Sequence, residues 1–188
     1  MKALLVAALL SFAAPAQALE IALTFDDLPA HSALPPGQTR ASVAKATLDA
    51  LKHTPVHGFV NGGFMAAEPG SEAVLTMWRA AGHPLGNHTW SHMDLDSHSA
   101  ADFEADLIRN EALLAGEARW LRYPYLNEGD TPQKRAEVRA FLAGRGYRVA
   151  SVTLTFDDYA WNAPYARCAA NNDQAAIAEL ERRYLAAA

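Results

Sequence analysis

What most restricts this chain is a repeated change of hydrophobic period. Apolar runs of strand length alternate with stretches whose apolar residues recur every three or four positions, and turn residues separate nearly all of them. The strand-like runs are Leu19 to Phe25, Val56 to Val60, Pro84 to Asn87, Trp120 to Tyr123 and Tyr147 to Phe156. Between them, a helix is expected from about Thr39 to Leu51, with Val43, Thr47, Leu48 and Leu51 on one face. A second, N-capped by Ser71, carries Val74, Leu75 and Trp78 and stops at Gly82. A third starts at Ser99 with Asp102 in a capping box, continues through Phe103, Leu107 and Leu114, and ends at Gly116. Thr131-Pro132 opens a fourth, with Val138, Phe141 and Leu142 before Gly144, and a last one runs from Asn172 or Asp173 through Ile177, Leu180 and Tyr184. Five β/α units with short connections predict an α/β fold with a parallel sheet, whose chemistry collects after the carboxyl ends of the strands.

Composition narrows the setting. Of 188 residues, 16 are Lys or Arg and 21 are Asp or Glu, a formal charge of −5 with the basic residues scattered, which argues against a nucleic-acid partner. The first residues read as a signal peptide over 1–18: Lys2, an apolar run from Ala3 to Ala14, then Pro15-Ala16-Gln17-Ala18. No other stretch is long and apolar enough to span a bilayer, so residues 19–188 are expected as one exported domain, periplasmic or extracellular. The single cysteine, Cys168, forms no internal disulfide, and an unpaired thiol outside the cytoplasm is easier to understand with a partner beyond Ala188.

Three clusters at predicted strand ends can carry chemistry. Thr24-Phe25-Asp26-Asp27 sets two carboxylates where a buried strand meets solvent; as neighbours they diverge, so one can ligate a cation while the other serves as a base, and a plain solvated turn is the alternative. In His88-Thr89-Trp90-Ser91-His92 two imidazoles four apart share one face of a helical turn and can reach one metal ion. With Asp27 they make three protein ligands and an open position, the set of a catalytic zinc; non-haem iron uses the same ligand types but keeps its carboxylate close to the first His. In Arg122-Tyr123-Pro124-Tyr125 the guanidinium can orient a base Asp, and Pro124 fixes the backbone so that the Tyr125 amide can face the cleft.

In this order, Thr-Phe-Asp-Asp, His-Thr-x-Ser-His and Arg-x-Pro-Tyr resemble the first three motifs of the polysaccharide deacetylases, the NodB-homology domain of carbohydrate esterase family 4, over roughly Leu19 to Trp161. The resemblance implies a distorted (β/α) barrel and a metal-dependent hydrolase, zinc being favoured, that removes N- or O-acetyl groups from a polysaccharide. It implies Asp26 as catalytic base, Asp27, His88 and His92 as metal ligands, Arg122 as the residue that positions the base and the Tyr125 amide as oxyanion donor. Asp158-Tyr159-Ala160-Trp161 is similar to the fourth motif, which implies Asp157 or Asp158 as the residue tuning a proton donor and Trp161 as the wall of the acetyl pocket, a polar strand end with a packed Trp being the alternative. Asn61, Glu128 and Asp130 fall in predicted cleft loops that can touch sugar hydroxyls.

Two departures stand out. Leu28-Pro29 replaces the Gly-Pro that commonly follows the Asp pair, and no Leu-x-His, the family's general acid, follows His98. The expectation is a barrel missing its last strand, with the gene continuing past Ala188; the rival is a non-catalytic carbohydrate-binding barrel. His31, His53, His57, His83 and His98 read as surface or structural histidines, with His31 the one placed to face the cleft.

Overall fold

The computed structural model describes residues 20–52, 54–117 and 119–188. The signal peptide expected over 1–18 and His53 lie outside the described residues. The strands are β1 (Leu23–Leu28), β2 (Val56–Val60), β3 (Leu85–Asn87), β4 (Trp120–Leu121) and β5 (Arg148–Val149). They form one all-parallel sheet in the order β1-β2-β3-β4-β5. The helices are α1 (Arg40–Leu51), α2 (Gly62–Ala66), α3 (Ala73–Ala80), α4 (Ala100–Glu111), α5 (Pro132–Gly144), α6 (Tyr159–Ala170) and α7 (Gln174–Ala187). Among the described residues, no helix is long and apolar enough to cross a membrane.

Local signals start most helices where expected. The Thr39 hydroxyl accepts from the Ser42 N–H and the Ser42 hydroxyl from the Thr39 N–H, so two amides that α1 leaves unpaired are satisfied reciprocally. Ser99, Thr131 and Asp173 cap α4, α5 and α7 in the same sense. Ser71 does not cap α3: its hydroxyl is buried and donates to the Met65 carbonyl, and Glu72 takes the cap position without a side-chain bond.

Strand alternation sorts the two faces of the sheet. On one face Val56, Val60 and Leu85 pack with Ala44 of α1 and Val74 and Trp78 of α3. Farther along, Leu121 and Tyr147 pack with Phe103 and Leu107 of α4 and Val138 and Leu142 of α5. Each such fully buried Leu or Phe contributes roughly 1.5–3 kcal/mol over its exposed state. Leu28, the residue in place of a glycine, belongs to this core and fills the room that a Cβ on Gly58 would need. On the opposite face the Arg122 guanidinium lies 4.8 Å from the Phe59 ring centroid, Phe59 stacks on His57 at 4.8 Å, and Arg148 covers Trp120 at 4.2 Å.

The fifth strand is much shorter than the run Tyr147 to Phe156 suggests. Its partner β4 offers only Trp120 and Leu121, and the last rung is the Ala150 N–H donating to the Leu121 carbonyl at 2.8 Å. Past that point Val152 and Thr153 have no strand to pair with among the described residues, and Leu154 is 87% exposed. The following segment forms α6 despite Pro164 in its interior.

Candidate active site and metal centre

β1 delivers its two carboxylates through an irregularity. Phe25 is level with Gly58 and Leu28 with Val60, so β1 spends three steps where β2 spends two. Asp27 takes φ 60°, a region an Asp tolerates better than most residues. The extra residue breaks strict alternation, so Asp26 meets Arg122 while Asp27 meets the two imidazoles.

His88 and His92 do not sit on a helical turn. The segment is a loop after β3 in which Thr89 and His92 have φ of 63° and 57°, and the left-handed residues, rather than helical spacing, bring the rings to 4.9 Å between centroids. His88 Nδ1 bonds the Arg122 carbonyl at 2.7 Å, which places the ring hydrogen there and leaves Nε2 as a lone pair. That Nε2 lies 3.6 Å from Asp27 Oδ1, and His92 Nε2 lies 3.4 Å from the same oxygen. Burial pulls the His88 pKa down to about 4, against the attraction of Asp27, and burial also lowers that of His92.

Asp27 Oδ1 is buried and has no hydrogen-bond partner. Two imidazole nitrogens and a carboxylate oxygen, three possible ligand atoms, lie within 4.8 Å of one another. His88 Nε2 and the buried Asp27 Oδ1 are both acceptors, and two imidazoles with a carboxylate fit a cation, which removes the cost of the orphaned oxygen.

The neighbouring carboxylate is held differently. One Arg122 Nη donates to both Asp26 oxygens at 3.1 and 3.0 Å, the other to Thr24 Oγ1 at 3.2 Å, and Nε to the Ala150 carbonyl at 2.7 Å. The guanidinium is nearly buried, while the Asp26 side chain keeps 33% of its surface open. Burial pushes the Asp26 pKa up from its ordinary value, and the charge and hydrogen bonds of Arg122 oppose that rise.

Tyr125 has φ 55° in a short turn of 3-10 type, Pro124–Leu126, and its ring lies edge-on to His92 at 4.5 Å. Its side chain and that of Leu126 are exposed, 64% and 48%. On another side of His92 stand Phe64, at 6.3 Å, and His31, at 6.4 Å, with His31 held by Ser32 Oγ at its Nδ1. His31 thus does face the site; its place in the loop after Asp27 was the only signal for it.

Other candidates are elsewhere. Asn61, expected at the wall of a sugar cleft, is fully buried and donates to the His88 and Thr89 carbonyls, so it backs the histidine loop from inside the protein. Trp161 packs on Tyr184 of α7 at 5.9 Å, and Asp158 precedes α6 without capping it, so both lie with the terminal helices. Glu128 does line an open cleft beside Leu126, where it pairs with Arg139, and Asp130 pairs with Lys134. His57 and His83 have Nε2 atoms buried without partners, and His98 bonds the Asp94 carbonyl.

The profile of the polysaccharide deacetylase family matches residues 14–141, and the chain belongs to that family. It is similar to a chitin deacetylase of Colletotrichum lindemuthianum, 32% identical over 152 residues, which covers 77% of this chain and 54% of that protein. It is also similar to a chitin deacetylase of Pestalotiopsis sp., 29% identical over 144 residues, covering 73% and 43%. The chain therefore spans about half the length of these relatives. The solved chitin deacetylase of C. lindemuthianum superposes with a TM-score of 0.57 at 29% identity, covering 80% of this chain and 63% of that one. A polysaccharide deacetylase of Bacillus cereus shares the fold at TM-score 0.59 and 21% identity, covering 89% and 72%. The five-stranded sheet is accordingly a distorted (β/α) barrel of the NodB type, unclosed in this chain.

Proposed function

We propose that this protein is an exported, metal-dependent hydrolase that removes acetyl groups from a polysaccharide, with Asp26 as base. The observation that carries the reading is the convergence of Asp27, His88 and His92 on one point beside a carboxylate held by Arg122. Ligand atoms around a tetrahedral ion bound at about 2.0–2.1 Å lie roughly 3.3–3.4 Å apart, close to the observed spacings to Asp27, which favours zinc. A divalent ion there would supply Lewis-acid polarisation of the acetyl carbonyl and lower the pKa of a water.

The chain's own groups do the rest. Asp26 accepts the proton of the attacking water, and its open third gives that water access. Arg122 fixes the direction of the carboxylate and opposes the rise in its pKa that burial causes. The Tyr125 N–H, without a hydrogen-bond partner among the described residues, donates to the acetyl oxygen as negative charge develops on it. The exposed Tyr125 ring gives a sugar an apolar surface, and an open cleft of about 360 Å³ lined by Asp96, Asn127, Glu128, Arg135 and Arg139 gives it polar ones. The chitin deacetylases among its relatives make N-acetylated glucosamine polymers the first substrates to try. The test is acetate release across acetylated glycans with zinc supplied. Release lost in Asp26→Asn supports the reading, and glycan binding without release in the wild type overturns it.

A further inference from the structure

The loop that carries both histidines is gripped from behind by three asparagines, each fully buried and each on a different element: Asn61 after β2, Asn87 at the end of β3 and Asn110 in α4. The Asn61 amide nitrogen donates to the carbonyls of His88 and Thr89. Asn87 Oδ1 accepts from the Thr89 N–H at 2.8 Å and from the Asn110 amide at 2.9 Å. Asn110 donates in turn to the Val60 carbonyl at 2.7 Å and accepts from the Gly62 N–H at 2.9 Å. Asn87 also donates to the Leu107 carbonyl and the Tyr147 hydroxyl, at 3.1 and 3.0 Å.

The residue at the centre is Thr89, fully buried, β-branched and left-handed, a conformation such a residue adopts only when its surroundings impose it. Its N–H donates to Asn87, its carbonyl accepts from Asn61, and its hydroxyl oxygen accepts from the Met93 N–H at 3.0 Å. Asn61 Oδ1 is buried without a partner, so the side chain spends its donors on the loop and leaves its own acceptor unsatisfied. A core built only for stability would replace such a group with an apolar one.

We infer that Asn61, Asn87 and Asn110 are positioning residues that hold the His88–His92 loop in its cation-binding shape before any cation arrives, and so set the affinity of the site. The inference rests on Asp27, His88 and His92 being ligands and adds what makes them converge. Groups standing behind metal ligands typically govern about 10–100-fold in affinity, and that is the weakening expected here.

The test uses the metal-free chain, with Zn²⁺ affinity read by competition with a chromophoric chelator and site geometry by the visible spectrum of Co²⁺. Asn61→Ala and Asn110→Ala should raise the Zn²⁺ Kd about 10–100-fold and alter the Co²⁺ bands. Val138→Ala, a fully buried core truncation in α5, should lower thermal stability and leave both readouts unchanged. Wild-type Kd and spectrum in the folded asparagine variants would overturn the inference alone. A wild-type chain binding neither ion would overturn the ligand reading with it. If the variants do not fold, hydrogen exchange on the metal-free wild type decides: slow exchange at the Thr89 and Met93 amides supports a preformed loop, and fast exchange there overturns it.

Discussion

Arg122 on the segment leaving β4 donates to both carboxylate oxygens of Asp26 on β1, 96 residues earlier in the chain, at 3.1 and 3.0 Å. Those strands are separated by β2 and β3. In a flat sheet three strand intervals are about 14 Å, more than the two side chains bridge together. The ion pair therefore exists because the sheet curls, and the curl of this unclosed barrel is enough to bring Asp26 and Arg122 together.

Removing that guanidinium should damage catalysis and folding together. Arg122→Ala strands Asp26, Thr24 and the Ala150 carbonyl, and misdirecting a base by about 1 Å costs on the order of 10²-fold in kcat. A loss of about 2–3 kcal/mol in urea unfolding should accompany it, as expected for hydrogen bonds to charged groups. Arg122→Lys keeps a charge without the fork and should restore stability better than turnover.

Asp26→Asn should separate chemistry from metal. The variant keeps Asp27, His88 and His92, so zinc stoichiometry after dialysis should equal that of the wild type while acetate release falls about 10²–10⁴-fold. His88→Ala should do the reverse, losing zinc first, and retained stoichiometry would remove His88 from the site.

The metal-free protein should weaken in mild acid, because the unfolded chain takes up a proton that folded His88 does not. Burial holds the His88 pKa near 4, whereas the unfolded chain takes up that proton around pH 6.5. Below 6.5 the unfolded state binds more protons than the folded one, so stability falls as pH drops from 6.5 toward 4 and is fully present above 6.5. The effect is at most about 3 kcal/mol, and it should shrink in His88→Gln when unfolding midpoints are compared across that window.

Gly62→Ala is expected to disturb the histidine loop from a distance. A Cβ there would press into the Trp90 ring and lie 2.7 Å from Leu113 Cδ1. Trp90 is fixed by Arg109 over its ring at 4.1 Å and by the Gly63 N–H on its carbonyl at 2.7 Å, so it has little room to yield. A cost of roughly 1–3 kcal/mol is expected in thermal or urea unfolding, and a neutral result would mean Trp90 repacks.

The strand-end clusters were legible because period and turn residues fix where strands stop, and Asp26, Asp27, His88, His92 and Arg122 all stand at such stops. What sets the geometry between them was not. The spacing of His88 and His92 suggests a helical turn, yet the loop is shaped by Thr89 and by asparagines distant in sequence. The slip between Phe25 and Leu28 leaves no mark in a single sequence, since it depends on the register with β2. The run after Tyr147 has strand composition but lacks a neighbouring strand, and composition does not report a partner. Asn61 looked like a cleft residue because polar side chains after strands usually are; only its burial places it behind the loop.

The strands lie in the sheet in the order in which they are synthesised. Each finds its neighbour in the unit made just before it, so no strand waits for a later one to be inserted between it and its partner. A chain made from its amino end has Asp27, His88 and His92 available before Arg122 exists. His88, however, takes its ring orientation from the Arg122 carbonyl, so the convergence of the three candidate ligands and the brace on Asp26 are both completed by the same residue, when β4 joins the sheet.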